Sequence, residues 1–282
     1  TGVEKNAEAL TYAKKVIDAG YTLHSNYREL FMADNDKRKD EFMFTITCDG
    51  LRTQGFGNTT FFIHCAAGPD HNDFGASDGW FGYRATQGLA DKFSDLSGFT
   101  DKRAMFTTSS FGTSPSQIAI PALSDFSNGL HVKKYVNIRS DGGQVSDVTR
   151  GFSDVDFPVF RLSEMYLIYA EAHLRGGGGD ATLAFMYIIK IRERAYGNTS
   201  GNINAGQLNL DFILDERARE LYWEGHRRTD LIRYGLLTSG TYLWPWKGGV
   251  ASGTAVDDKY NIFPIPAANR TANPNLTQNT GY

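Results

Sequence analysis

Apolar residues near the start of the chain recur at the spacing of an α-helix. They lie within residues 4–19, EKNAEALTYAKKVIDA, and share one face: Ala9, Leu10, Ala13, Val16 and Ile17. Gly20 follows where a C-cap glycine is expected. An amphipathic helix needs a partner for its apolar face. Residues 1–20 are therefore predicted to contribute a helix to a larger helical scaffold.

The pattern changes between residues 21 and 155. Short apolar runs such as FMFTIT and FFIHCAA alternate with stretches rich in Gly, Asp, Asn and Ser, for example DHNDFGASDGWFGYR and RSDGGQVSD. This composition predicts loops, a few short strands and one helix near ATQGLADKF.

Helical spacing returns in residues 156–282. RLSEMYLIYAEAHL and ATLAFMYIIKIRERA flank the permissive turn RGGGGD, where Asp180 can cap the second helix. This hairpin has the length of a tetratricopeptide repeat, and a second pair follows at 210–225 and 227–237. The tail after Gly240 is expected to be extended and packed over the helices. The predicted fold is mainly α, with tetratricopeptide-like hairpins, an irregular loop-rich region and a few short strands.

Composition excludes several classes of protein. A net charge of -3 with evenly mixed signs provides no basic stripe for nucleic acid. No apolar run reaches the roughly 20 residues that span a bilayer, and TGVEKNAEALTYAKK lacks a signal-peptide core and a lipid-acceptor cysteine. The cysteines, Cys48 and Cys65, are too few for a four-ligand zinc site; two buried thiols are favoured over a disulfide.

Catalytic and cofactor motifs are missing from the sequence. The six histidines form no HExxH, there is no G-x-S-x-G elbow, and RGGGGD follows a helix rather than a strand. A calcium loop beginning at Asp70 would place Phe74 and Phe81 at ligand positions, which favours a solvated turn and leaves only a loose calcium site open. No cofactor and no metal are predicted.

Three glutamates, Glu216, Glu220 and Glu224, share one helix face. They could be read as a catalytic carboxylate pair. Arginines nearby in sequence favour a structural ion-pair network instead, and the candidates are Arg217, Arg219, Arg227 and Arg228. Trp223, on the same helix, is expected in the core.

Three ordered blocks carry a family resemblance: FRLSEMYLIYAEAHL, DERARELYWEGHRRTDLIRYG and FPIPAANRTANPNLTQNTGY. The first two resemble R-x-x-E-x-x-L-x-x-A-E-A and E-R-x-x-E-x-x-x-E-G-x-R-x-x-D-L-x-R-x-G. The third resembles P-I-P followed by N-P-x-L-x-Q-N-x-G-Y. Together they resemble the closing region of the SusD/RagB outer-membrane lipoproteins. Upstream, AKKVIDAGYTLHSNYRELF and GWFGYRATQGLADKF resemble that family less sharply.

The resemblance implies a non-catalytic protein. Such a protein binds an oligosaccharide or polysaccharide at the cell outer membrane, exposed at the surface, and passes it to a SusC-like TonB-dependent transporter. Family members carry a signal peptide, a lipidated cysteine and several helices ahead of the point where this chain starts. Residues 1–282 are thus expected to be one N-terminally truncated SusD/RagB-like domain, with residues 21–155 facing the ligand and any lipid anchor outside this chain.

Aromatic residues on predicted loops are the candidates for sugar stacking, because sugar rings present apolar C–H faces to flat side chains. Trp80 leads, followed by Tyr83, with polar groups nearby: Asn72, Asp73, Asp78 and Arg84. The alternative is a loop tryptophan folded back onto the helices, which is favoured for Phe81. Trp244 and Trp246, next to Lys247, are further candidates, with hairpin packing as the alternative.

Two other functions remain open. A helical-repeat protein of RagB type could bind peptides in a groove. A glycosidase could use Glu220 and Glu224, although an Arg-rich helical setting disfavours it.

Overall fold

The computed structural model describes residues 3–107, 118–126 and 128–282. Its contacts divide the chain into two compact units, Thr1–Glu224 and Gly225–Tyr282. Helices dominate the regular structure, with a few short strands, which confirms the predicted fold class. That residues 1–282 act as one domain stays a prediction.

The first unit contains most of the regular elements. Its helices are α1 (Asn6–Ile17), α2 (Asn58–Ala66), α3 (His71–Phe74), α4 (Gln87–Ala90), α5 (Leu162–Leu174), α6 (Ala181–Tyr196) and α7 (Leu210–Leu221). Its strands are β1 (Phe42–Ile46), β2 (Phe106–Thr107), β3 (His131–Val132) and β4 (Phe157–Arg161). Short 3-10 turns occur at Tyr27–Phe31, Asn35–Lys37, Thr199–Gly201 and Ala205–Gln207.

The predicted helical hairpin is confirmed as α5 and α6. Asp180 caps α6 by accepting hydrogen bonds from the backbone N–H groups of Thr182 at 2.7 Å and Leu183 at 3.2 Å. Gly197 ends the helix at φ +73°. Helix α5 also packs against α1 and α7, and the shared core is apolar. Burial of these apolar faces stabilises the scaffold at about 25 cal/mol per Å² removed from water.

Two small antiparallel sheets are formed by the described strands, and the β1–β4 sheet connects the loop-rich region to this scaffold. Strand β1 pairs with β4, placing Phe42 opposite Arg161, and β2 pairs with β3. Strand β1 lies where FMFTIT predicted a strand. Because β4 leads directly into α5, the pairing fixes Arg161 at the start of that helix.

Helix α2 corrects the sequence interpretation of FFIHCAA as part of a strand-and-loop region. Six of its nine residues are buried: Thr59, Thr60, Ile63, His64, Cys65 and Ala66. Burial on more than one side removes the one-sided spacing by which a helix is recognised in sequence. Residues 71–74, also expected in a loop, form the single turn α3. Helix α4 confirms the helix predicted near ATQGLADKF, although it is only four residues long.

The second unit carries helices α8 (Arg227–Arg233) and α9 (Ala267–Ala272), with 3-10 turns at Lys247–Gly249 and Asp258–Asn261. Helix α8 ends before the predicted residue 237, and Gly235 follows at φ +68°. The side chain of Gln278 accepts from the N–H of Ile265 at 2.8 Å and donates to its carbonyl at 3.0 Å. The Pro-Ile-Pro and Gln-Asn parts of the third sequence block are therefore joined by hydrogen bonds.

Both cysteines are free and buried, as favoured from the sequence. No helix within the described residues has the length and apolar character needed to cross a membrane.

Candidate functional site

The loop that carries Trp80 is fixed by the C-terminal end of α2. The last carbonyls of a helix have no partner within the helix and need other donors. Here the N–H of Trp80 donates to the His64 carbonyl at 2.8 Å, and the N–H of Tyr83 donates to the Cys65 carbonyl at 3.2 Å. The N–H of Phe81 reaches the carbonyl of Ala67, also at 3.2 Å. Residues 80, 81 and 83 therefore cap the end of α2 through their backbone N–H groups, so this capping does not use their side chains.

Gly79 allows this loop to approach the chain that follows α2. A Cβ atom at this position would lie 2.4 Å from the carbonyl oxygen of Gly68 and 2.8 Å from that of Ala67. Two residues with positive φ follow, Phe81 at +62° and Gly82 at +90°. Positive φ in a bulky residue costs free energy and is maintained only by the surrounding structure. The positive φ of Phe81 is thus maintained by the contacts around the loop.

The indole of Trp80 is held on two sides. Its ring stacks on the imidazole of His64, with centroids 4.6 Å apart and an interplanar angle of 27°. Asp78 accepts from Trp80 Nε1 at 3.2 Å and contacts His64 Nδ1 at 2.8 Å. His64 is buried, whereas the Asp78 side chain is 62% exposed. The half-buried indole therefore has a rigid support and an accessible carboxylate beside it.

Phe56 is an aromatic neighbour of Trp80 that the sequence interpretation missed. Its ring centroid lies 5.6 Å from that of Trp80 and 5.4 Å from that of Phe152. A lone Phe between two glycines, in QGFGN, gives no periodic signal. The Gly-flanked aromatic was nevertheless the same type of feature that singled out Trp80.

Tyr83 belongs to a second group of rings. Its centroid lies 4.8 Å from Trp223 and 5.7 Å from Phe61, and its side chain is 41% exposed. Trp223 is half-buried at φ +60° and packs against two apolar clusters. It therefore has the core contacts expected of it, together with a contact to a candidate ligand residue.

Arg84 is engaged by backbone carbonyls. Its guanidinium donates to Phe126 at 2.7 Å, Tyr83 at 3.0 Å and Cys65 at 3.4 Å. Burial lowers the pKa of Arg84 to about 10. Arg84 thus fixes the loop through its observed contacts, and direct sugar binding by it stays a prediction.

Asn72 and Asp73 lie on α3 and are exposed. The Asp73 carboxylate is 3.5 Å from the ammonium of Lys133. No hydrogen bond or ring contact joins either residue to Trp80 among the contacts described. Their role in glycan binding stays a prediction.

Trp244 and Trp246 belong to the second unit. The Lys247 ammonium lies 4.6 Å from the Trp244 ring centroid, a cation–π contact, and donates to the Tyr242 carbonyl at 2.8 Å. Trp246 has φ +68°, and its N–H donates to the Ala251 carbonyl at 3.3 Å. Both tryptophans are half-buried. These contacts agree with hairpin packing and leave their glycan-binding role a prediction.

A buried ion-pair network contains Glu216 and Glu220 of α7 and Glu224, which follows that helix. A structural network was the interpretation favoured from the sequence. Its partners correct that interpretation, because most come from distant segments. Arg103 contacts Glu216 at 2.8 Å and Glu220 at 3.2 Å, and Arg161 contacts Glu220 at 2.6 Å and Glu224 at 2.7 Å. Further cations in contact with these glutamates are Lys134, Arg192, Arg194 and Arg219.

Among the arginines named from sequence, Arg219 pairs with Glu216 at 2.7 Å. Arg217 lies 3.7 Å from Glu164. Arg227 donates to the Tyr242 hydroxyl, and Arg228 donates to the Tyr260 carbonyl at 2.6 Å. Sequence proximity could not reveal partners supplied by long-range packing.

The network does not suit a catalytic acid. Burial alone would raise the pKa of Glu220, but Arg194, Arg161 and Arg103 outweigh burial and hold that pKa well below its usual range. A glycosidase acid needs a raised pKa, and its carboxyl group must reach the substrate. Glu220 has no exposed surface. The geometry therefore opposes the glycosidase alternative.

No group of three or more His, Cys, Asp or Glu residues suited to hold a metal ion occurs in the described ranges. In the loop around Asp70, the Gly68 N–H donates to Asp70 Oδ1 at 3.1 Å, and the solvated turn expected there stays a prediction.

Comparison with known proteins identifies the family. The SusD family model matches residues 119–282, and this chain belongs to the SusD family. Starch-binding protein SusD of Bacteroides thetaiotaomicron is 35% identical over 324 aligned residues, covering 100% of this chain and 57% of that protein. SusD-like protein P25 of Formosa agariphila is 35% identical over 131 residues, 44% of this chain and 24% of that protein. The chain thus spans little more than half of SusD.

Solved structures share the fold. Surface glycan-binding protein A of Bacteroides thetaiotaomicron, in complex with laminarihexaose, superposes with a TM-score of 0.69 at 22% identity, covering 97% of this chain and 59% of that one. A SusD superfamily protein from Parabacteroides distasonis gives 0.64 at 24% identity, covering 98% and 57%.

Proposed function

We propose that this protein binds an oligosaccharide or polysaccharide without cleaving it, using the loop that carries Trp80. The observation that carries the proposal is the indole fixed between His64 and Asp78. A rigid aromatic plane stacks on the apolar face of a sugar ring, while an exposed carboxylate accepts hydrogen bonds from its hydroxyls. Membership of the SusD family and 35% identity to a starch-binding protein support the same class of ligand.

The proposal extends to the cell surface. The protein acts at the bacterial outer membrane, exposed to the medium, and delivers its glycan to a SusC-like TonB-dependent transporter. Family membership supports this part of the proposal. Delivery requires release, so a shallow site of modest affinity suits the task. Replacing the hydration shell of a sugar by protein hydrogen bonds leaves only a small net gain.

Calorimetric titration of a ligand panel tests the binding. The panel contains soluble starch, laminarin and a peptide mixture, and the proteins are the unmodified chain, Trp80→Ala and Phe99→Ala. Phe99 is 91% exposed and serves as a matched loss of an aromatic side chain. We expect a glycan to bind the unmodified chain and Phe99→Ala, with at least about tenfold weaker binding to Trp80→Ala. Binding of peptides and of no glycan would support the RagB-type alternative instead.

Delivery has its own test. The chain, tagged and expressed with a SusC-like transporter in one outer membrane, is expected to copurify with the transporter after gentle solubilisation. Absence of copurification would remove delivery from the proposal and leave glycan binding untouched.

A further inference from the structure

The carboxylate of Asp78 is held at the edge of the Trp80 indole. Its Oδ2 accepts from Trp80 Nε1 at 3.2 Å. Its Oδ1 lies 2.8 Å from His64 Nδ1 and accepts from Ser77 Oγ at 3.4 Å. Because both oxygens have partners, the carboxylate cannot turn away from the indole without losing a hydrogen bond. Ionised carboxylate oxygens still have room for a further donor. A sugar stacked on Trp80 would therefore lie beside this group.

The negative charge of Asp78 has no cationic side chain fixed against it. The side chain is 62% exposed, and among the described residues no lysine or arginine forms an ion pair with it. Arg84, the cation singled out near Trp80 in sequence, donates to the backbone carbonyls of Tyr83 and Phe126. An exposed charge without a cationic partner acts on a charged ligand a few ångströms away. Asp78 therefore gives the site a negative character.

We infer that Asp78 makes the Trp80 site select neutral glycans and reject anionic ones, such as those built from uronic acids. The inference rests on the proposed function. A carboxylate accepts hydrogen bonds from the hydroxyls of a neutral sugar, whereas a second carboxylate has no proton to donate and is repelled. The electron-rich face of the indole disfavours an anion in the same way. Trp80 thus supplies stacking, and Asp78 discriminates between sugars by their charge.

Matched forms of one oligosaccharide test this role. The probes are maltoheptaose and laminarihexaose, each unmodified, oxidised to the carboxylate at C6, and as the methyl ester of that carboxylate. The ester has the oxidised carbon without the charge. Calorimetry measures their binding to the unmodified chain, Asp78→Asn and Asp18→Asn. Asp18 is 59% exposed on α1, where it pairs with Lys14, and controls for the loss of one surface carboxylate.

Asp78→Asn removes the charge and can keep both contacts of the side chain. The asparagine oxygen can accept from Trp80 Nε1, and its amide group can donate to His64 Nδ1 when the imidazole proton is on Nε2. Thermal unfolding confirms that each variant is folded. A change in selectivity then reports the charge rather than the loss of a hydrogen bond.

We expect the unmodified chain and Asp18→Asn to bind the neutral and ester forms about threefold to tenfold more tightly than the carboxylate form. Salt at about 1 M should reduce this ratio, because it screens exposed charges. In Asp78→Asn the ratio should fall to within about twofold, while affinity for the neutral form changes by less than about threefold.

Several results would overturn the inference. The unmodified chain could bind the carboxylate form as tightly as the neutral form, or bind the ester as weakly as the carboxylate. The ratio could also stay unchanged in Asp78→Asn, which would assign selectivity to another group. Loss of all binding in folded Asp78→Asn would show that the carboxylate supports the indole and does not select by charge. Each of these results leaves the proposed function intact. No binding of any form to the unmodified chain would overturn both.

Discussion

The last carbonyl groups of α7 and of α2, two helices of the first unit, need hydrogen-bond donors from outside the helix, and the two helices obtain these donors from different groups. The end of α7 is capped by buried side chains: the Glu220 carbonyl accepts from the hydroxyl of Tyr27 at 2.5 Å and from Arg161 at 2.7 Å. The end of α2 is capped by the backbone of residues 80–83. At the end of α7, charged side chains are placed in the interior, where they stabilise the scaffold. At the end of α2, aromatic side chains stay at the surface, where they can bind a ligand.

The end of α7 is expected to contribute mainly to folding stability, and the end of α2 mainly to ligand binding. Charges at the end of α7 are removed from water, which is costly unless every charge is paired. Changes there should therefore affect folding. The residues at the end of α2 are partly exposed, so changes to their side chains should affect ligand binding more than folding.

The largest effect is expected for Arg161→Leu. Loss of this guanidinium leaves Glu220 and Glu224 buried with fewer partners, which should lower the free energy of unfolding by about 3–5 kcal/mol in urea denaturation. Lys14→Ala removes an exposed pair with Asp18 and should lower the free energy of unfolding far less than Arg161→Leu does. If both variants lost similar, small amounts of unfolding free energy, the network would not stabilise the scaffold as described.

Acid should weaken the same network. Burial would raise the pKa of Glu216, but Arg103, Arg219 and Arg192 outweigh burial and hold it at about 2. Because this pKa lies below the ordinary value of 4.5, the stabilisation is fully present above pH 4.5 and is lost as the pH falls towards 2. The loss from Glu216 alone is about 3 kcal/mol at most.

Free energies of unfolding measured from about pH 5 down to about pH 2 check this expectation. The slope should become smaller in Glu216→Gln, since one titrating group is gone, and should persist in Asp18→Asn, where the carboxylate is exposed. A flat profile in the unmodified chain would contradict the assigned role of the network.

A smaller effect is expected at the end of α2 from Gly79→Ala. The added Cβ would meet the Gly68 carbonyl at 2.4 Å, so the loop must shift, at a cost of about 1–3 kcal/mol in unfolding free energy. Displacement of Trp80 should also weaken glycan binding. Gly206→Ala, whose nearest contact would be at 3.4 Å, should change neither quantity appreciably. Unchanged glycan affinity in Gly79→Ala would show that glycan binding does not depend on the conformation of this loop.

Sequence periodicity predicted the scaffold better than the site. Helix α6 has apolar residues at helical spacing, a capping Asp180 and a terminal Gly197, and each of these is a local signal. Helix α2 has no such spacing because several sides are buried. The Arg103 and Arg161 partners of the glutamates were not predictable, because packing brings them from 113 and 59 residues away.

The candidate site shows the same limit. A Gly-flanked aromatic in a polar loop was enough to single out Trp80, but not the His64 beneath it or the Phe56 beside it. Those neighbours follow from the capping of α2, which only the fold reveals. Arg84 was singled out because it lies near Trp80 in sequence, but its guanidinium donates hydrogen bonds to backbone carbonyls.

The most direct test of recognition at Trp80 is the NMR signal of each indole N–H during a glycan titration. The chain has four tryptophans, so four signals can be assigned with Trp→Phe variants. The Trp80 signal should shift most, because its Nε1–H is bonded to Asp78 at the proposed site. A titration in which Trp80 stays unchanged while Trp244 or Trp246 shifts would contradict the proposal.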